Sequence, residues 1–201
     1  MAKHVCPWWI GSLLASPIRR WIAENPEQLL APYLREGMTV LEPGPGMGFF
    51  TLPLARLVGP AGRVIAVDIQ AKMLAGLRRR AIKAGLAERI ETRLARPERM
   101  GLDDLEGTVD FVFTFAAVHE MPSAETFFDE AANALKPGGL LFFAEPSGHV
   151  KTDEFQREVQ AAEMAGLQVL NHPTVRRSHA VILRKIDAKI TCNEPSGSLK
   201  A

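Results

Sequence analysis

Cysteine is almost missing from this 201-residue chain; the two present, Cys6 and Cys192, stand near opposite ends. Two such residues make no disulfide framework. No close Cys/His spacing marks a zinc site, so no metal is expected. An excess of one charge is missing too, with 24 Lys and Arg against 23 Asp and Glu. That balance gives no electrostatic case for a nucleic-acid partner, whose binding rests on neutralised phosphates. No apolar run reaches the roughly 18 residues of a membrane span. The uncharged stretch from Val5 to Ile18 carries Pro7, Trp8, Trp9 and Pro17. Its basic start is weak and no small-x-small cleavage site ends it, so it does not read as a signal peptide. Repeats and low-complexity linkers are also lacking. What remains is 47% hydrophobic and 23% charged, the balance of a folded, single-domain, cytoplasmic protein.

The pattern changes once along the chain. Up to about Gly37, Ile10, Leu13, Leu14, Ile18, Trp21 and Ile22 recur at helical spacing. Ser16-Pro17 and Asn25-Pro26 are cap-then-proline pairs that start helices and so divide this region into short pieces. From Met38 onward, short β-rich runs alternate with helical segments. Strands are expected at Thr39–Leu41, Arg63–Val67, Ile90–Leu94, Val109–Phe115, Leu140–Ala144, Gln168–Leu170 and His179–Leu183. Helices are expected at Phe49–Val58, Ala71–Ala84, Ala124–Leu135 and from about Asp153 to Met164. Such alternation predicts a doubly wound α/β domain, a mostly parallel sheet with helices on both faces. Phe111-Val112-Phe113 and Leu140-Leu141-Phe142-Phe143 lack polar alternation, as strands buried on both faces do. The expected division is a helical lid over 1–37, a binding domain over 38–185 and a tail over 186–201.

The sharpest feature is Val40-Leu41-Glu42-Pro43-Gly44-Pro45-Gly46-Met47-Gly48, where the first strand hands over to a helix. Glycines there let backbone approach a ligand, and parallel sheets bind ligands at the carboxyl ends of their strands. The dinucleotide fingerprint G-x-G-x-x-G is not met, because the third glycine comes one place early and Phe49 stands where glycine is wanted. Glu42 adds a carboxylate, unsuited to a pyrophosphate and suited to an ammonium or sulfonium. Asp68, about twenty positions on, ends the second strand; it either accepts hydrogen bonds from ribose hydroxyls or caps the next helix, and the two roles are compatible.

Glu42 with the glycine loop, Asp68, Val109-Asp110-Phe111-Val112 and the turn Lys136-Pro137-Gly138-Gly139 together resemble a class I S-adenosylmethionine-dependent methyltransferase. The likeness runs from about Met38 to Arg184 and is nearest to the small-molecule enzymes of the ubiquinone/menaquinone type. It implies a seven-stranded sheet ending in an antiparallel hairpin, short N-terminal helices and S-adenosyl-L-methionine as cofactor. Glu42, Gly44, Gly46 and Gly48 would surround its methionine end. Asp68 would hold the ribose and Ile69 pack on the adenine, with Phe115 beside the site. After the third strand the family often carries Asp or Asn to read the adenine amino group. Here Arg96 stands near that place and Glu98 is the nearest carboxylate, which leaves the backbone amides of Ala95 or Arg96 to do the reading.

Methyl transfer is a direct displacement that depends mainly on alignment; a base is needed only when the acceptor must lose a proton. His119, after the fourth strand, serves as that base, orients the acceptor or is structural. Glu120 reads as a helix-entry carboxylate. Glu145, after the fifth strand, either touches substrate or caps the next turn. His4, Cys6 and Trp8 belong to the lid, where they contact substrate or pack as a buried thiol and aromatics. Arg78-Arg79-Arg80 reads as solvated surface on a helix whose Met73, Leu74, Leu77 and Ile82 face the sheet. The expected function is methyl transfer to a small-molecule acceptor. The alternatives are a catalytically silent nucleotide-binding module acting through a protein interface and, disfavoured by Glu42 and Phe49, a nicotinamide enzyme.

Overall fold

The computed structural model describes residues 25–186. His4, Cys6, Trp8, most of the expected lid and nearly all of the tail lie outside the described residues. Helix α1 (Pro26–Leu30) begins as its cap pair predicts: the Asn25 side chain accepts the Glu27 N–H at 3.1 Å, and proline opens the first turn. Alternation then sets in with β1 (Thr39–Pro43), α2 (Thr51–Leu57), β2 (Arg63–Asp68), α3 (Ala71–Lys83) and β3 (Ile90–Leu94). It continues through β4 (Val109–Phe115), α4 (Ala124–Ala134), β5 (Leu135–Pro146), α5 (Thr152–Met164), β6 (Leu167–Asn171) and β7 (Ser178–Lys185).

The seven strands form one sheet in the order β3-β2-β1-β4-β5-β7-β6. Strands β1 to β5 are mutually parallel, and β7 runs antiparallel between β5 and β6. The order reverses between β1 and β4, and it is there, outside the carboxyl ends, that open α/β sheets take ligands. Consecutive residues of one strand feed two separate cores, which is why the strands lack polar alternation. On one face Leu41, Val112 and Phe143 pack with Phe128 of α4 and Phe155 of α5. On the other, Val40, Phe111 and Phe142 pack with Leu30 of α1 and Leu54 of α2.

Three local expectations are corrected. Helix α2 starts at Thr51, not Phe49, because residues 45–50 are spent in the turn that follows β1. Lys136–Gly139 is not a turn ahead of a strand: β5 already begins at Leu135, and its pairing with β4 shifts register between Val109 and Phe111 to absorb the extra residues. Ile82 does not face the sheet; it is 61% exposed on the outer side of α3. At the end of the sheet away from the cleft, Asp110 accepts the Thr39 N–H at 2.8 Å and pairs with Lys136, tying β1, β4 and β5 together.

Candidate cofactor and acceptor cleft

A cleft of about 1000 Å³ opens at the carboxyl ends of β1, β2 and β4, at the top of the range for small-molecule sites. Its floor is the β1–α2 loop, a left-handed chain at three points: Gly44, Gly46 and Gly48 have φ of +71°, +54° and +85°. The three glycines are there for different reasons. A Cβ on Gly44 would stand 2.6 Å from the Ala117 Cβ, so Gly44 lets β4's end close onto the loop. A Cβ on Gly46 would meet nothing within 4 Å, so at that position the open cleft itself lies over the backbone. A Cβ on Gly48 would fall 2.4 Å from the Leu77 Cδ1. Gly48 does not line the cleft; its expected place against the cofactor is corrected to a packing role between loop and α3.

The loop carries a buried carboxylate. Glu42 is 3% exposed, lines the cleft, and its Oε2 has no hydrogen-bond partner. Burial pushes its pKa up to about 8; the adjoining Thr51 hydroxyl pulls it partly back and the neighbouring Asp68 raises it further. Asp68 sits at the tip of β2. Burial raises it to about 6, against the N–H groups of Gln70, Gly46 and Ile69 that favour its charged form, while Glu120 raises it again. The Gln70 N–H lies 2.8 Å from Oδ1, in a turn just ahead of α3; the N-cap itself is Gln70, with no side-chain cap bond, so Asp68 is corrected as the helix cap, and it lines the cleft. Ile69 beside it is 42% exposed and lines the cleft, as does Phe115. Two carboxylates held in low dielectric, neither in a salt bridge among the described residues, are adapted to a positively charged guest.

The wall past β3 departs from expectation. Ala95 and Arg96 line the cleft, but their amides are already spent: Ala95 donates to the Asp68 carbonyl at 3.0 Å and Arg96 to the Arg99 carbonyl at 3.1 Å. Arg99 donates to the Arg96 carbonyl, and Met100 and Gly101 donate to the Glu130 carboxylate at 2.8 and 3.1 Å. On this wall Glu98 keeps an amide and a carboxylate that no hydrogen bond among the described residues uses.

Two residues that sequence reasoning left on the surface or overlooked shape the site. Arg80 is not solvated surface; its guanidinium donates to the Met47 carbonyl and pins the glycine loop to α3, and partial burial lowers its pKa. Glu130, buried on α4, holds the 96–101 loop through the two amides above. Each partner lies about 30 positions away in sequence, so no local pattern could have marked the pair.

At the other end, β4 leaves the sheet through Ala116, a non-glycine residue at φ +57° whose N–H still reaches the Ala144 carbonyl. Such strain is held only where neighbours over-determine it. The turn that follows, Val118–Glu120, delivers His119 to the cleft. Its Nδ1 lies 2.6 Å from the Glu145 Oε2, and that carboxylate raises the imidazole pKa against the opposing effect of burial. Glu145 is corrected as a substrate contact: it is 0% exposed and absent from the cleft wall. Its Oε1 accepts the N–H groups of Val118 at 2.8 Å and His119 at 3.2 Å. Among the described residues no group of three or more His, Cys, Asp or Glu could hold a metal, and no helix is long and apolar enough to cross a membrane.

Residues 41–143 match the family described as "Methyltransferase domain". An arsenite methyltransferase of Halobacterium salinarum is 32% identical over 136 residues, 68% of this chain and 33% of that protein. A ubiquinone/menaquinone biosynthesis C-methyltransferase of Hahella chejuensis is 31% identical over 112 residues, 56% of this chain and 44% of that protein. The chain thus spans under half the length of these curated relatives. A solved structure of a SAM-dependent methyltransferase from Aquifex aeolicus superposes with a TM-score of 0.80 at 26% identity, covering 90% of this chain and 100% of that one. With the sheet order, the left-handed glycine loop, the Glu42–Asp68 pair and the matched domain all in one place, the chain belongs to the class I S-adenosylmethionine-dependent methyltransferases.

Proposed function

We propose that this chain transfers the methyl group of S-adenosylmethionine to a small-molecule acceptor held in the cleft beside His119. The observation that carries the reading is Glu42, a buried carboxylate with one unpartnered oxygen, lining a cleft that also holds Asp68. A site built for a pyrophosphate would not keep two carboxylates there, whereas a ligand with an ammonium and a sulfonium supplies the missing positive charge. Bound in this cleft, the cofactor brings an activated methyl group on a sulfonium. Glu42 and the glycine loop hold the amino-acid end, Asp68 accepts the ribose hydroxyls, Ile69 covers one face of the purine and Glu98 offers an amide and a carboxylate to its edge. The chain's contribution to rate is then alignment, worth up to roughly 7–11 kcal/mol for well-oriented partners. The cleft volume leaves room for an acceptor next to the cofactor.

Calorimetric titration with S-adenosylmethionine, S-adenosylhomocysteine and NAD tests the reading. Both adenosyl ligands are expected to bind, and Asp68→Ala to weaken them by about 1–3 kcal/mol by stripping a partner from buried hydroxyls. Binding of NAD with neither adenosyl ligand would refute it.

A further inference from the structure

The β4 side of the cleft carries an arrangement that cofactor binding does not require. The Glu145 carboxylate is wholly enclosed, and every contact it makes serves one turn: two backbone N–H groups on Oε1 and the His119 Nδ1 on Oε2. An enclosed acceptor of this kind selects the imidazole tautomer that carries its proton on Nδ1. Nε2 is then the lone-pair nitrogen. No group among the described residues hydrogen-bonds it, and His119 lines the cleft. The charged and titratable neighbours all point the same way. Glu145 on β5, Glu120 in the same turn and Glu158 on α5 each raise the imidazole's affinity for a proton, and the His149 ring stacks on it at 6.0 Å. The walls nearby are apolar and flat, with Phe49, Phe115 and Pro146 on the same cleft and Phe50 locking both phenylalanines in place at 5.0 and 5.1 Å.

We propose that His119 abstracts a proton from the acceptor, that Glu145 is its positioning residue, and that the acceptor is an aromatic hydroxyl seated against Phe49 and Phe115. The proposal rests on the methyltransferase reading above. A phenolic oxygen, with a pKa of about 10, is neutral and weakly nucleophilic near neutral pH. A thiol is already partly ionised and arsenite presents a lone pair on arsenic, so neither needs an oriented base. In the step, the phenol O–H bond breaks and its proton passes to the His119 Nε2 while the oxygen bonds to the methyl carbon. The carbon–sulfur bond breaks with its electron pair going to sulfur. The products are the methyl ether, S-adenosylhomocysteine and an imidazolium that returns its proton to water.

The experiment pairs single-turnover transfer from methyl-labelled S-adenosylmethionine with nitrogen-15 NMR of the histidines. The acceptors are 3,4-dihydroxybenzoate, dithiothreitol and arsenite. In the wild type, 3,4-dihydroxybenzoate is expected to be methylated, with a rate that rises with pH through the His119 titration and His119 protonated on Nδ1. His119→Gln is expected to lower that rate about 100- to 10,000-fold while cofactor affinity stays within twofold. In Glu145→Gln the amide oxygen stays on the backbone N–H groups and its NH₂ faces Nδ1. The imidazole proton then moves to Nε2, its titration shifts to lower pH, and the rate falls with unchanged cofactor binding. Methylation of arsenite or dithiothreitol alone would overturn the proposal. So would an His119→Gln enzyme of wild-type rate, a His119 protonated on Nε2 in the wild type, or intact cofactor binding with no transfer to the phenol. A wild type that binds neither adenosyl ligand would instead bring down the underlying cofactor reading.

Discussion

Replacing Glu42 by glutamine should change the pH dependence of stability more than the stability at any one acid pH. In the free protein Glu42 keeps its proton up to about pH 8, against an ordinary value of 4.5. Between those limits the native state therefore binds more protons than the unfolded chain, and stability falls as pH rises. At about 1.4 kcal/mol per unit, the interval amounts to a loss on the order of 5 kcal/mol, complete just above pH 8. Asp68 acts in the same direction but finishes near pH 6, and the raised imidazole of His119 titrates in both proteins alike. The difference between wild type and Glu42→Gln across pH 6 to 8.5 thus isolates the one carboxylate. Urea midpoints and slopes at pH 4, 6.5 and 8.5 should show near-coincident proteins at the acid end, below the ordinary value of 4.5. At pH 8.5 the variant should be ahead by several kcal/mol. S-adenosylmethionine should narrow that gap, because a cation beside Glu42 lets it ionise; calorimetry in buffers of unlike ionisation heat should record the proton leaving. Parallel pH profiles for the two proteins would refute the assignment of a buried, uncompensated carboxylate.

Gly48→Val should cost at least about 2 kcal/mol by denaturant titration, since it combines a left-handed φ with a side chain driven into Leu77. Gly46→Ala, with open space above it, should cost about 1 kcal/mol while weakening cofactor binding as strongly, because its methyl group occupies the cleft. Equal stability losses would mean that the two glycines do not divide packing from ligand approach. Glu130→Ala leaves two amides of the 96–101 loop without an acceptor and should cost about 1–3 kcal/mol. Limited proteolysis should then cut that loop faster, and unchanged protection would remove Glu130 from the site's support.

Much of this fold could be read in advance because its signals are local. Runs such as Phe111-Val112-Phe113 report two-sided burial within three residues, and the glycine loop, Asp68 and His119 each stand at a strand end that periodicity had already located. What escaped is of another kind. Whether Glu145 faces substrate or a neighbour depends on a backbone turn 26 positions upstream; whether Arg80 is solvated depends on a carbonyl 33 positions away. The spent amides of Ala95 and Arg96 depend on how β2 and the following loop happen to close. Ile82 differs for a plainer reason: a residue at the boundary of a helix's apolar stripe fits either side, and here it lies on the exposed one. Local chemistry names the actors; the pairing between distant elements decides which way each one faces.

The place of β7 has a consequence for synthesis on the ribosome. This strand closes the edge of β5, yet residues 147–177 must be made before it appears. At about 5–20 residues per second, that edge stands open for roughly two to six seconds in every nascent chain. The strand waiting there includes Leu141, Phe142 and Phe143, an apolar template for any passing β segment. Slowing elongation over 147–177 should therefore increase aggregation of newly made protein without altering the stability of the finished one. The hazard belongs to the order in which the sheet is assembled, and it ends the moment β7 slides in between its two neighbours.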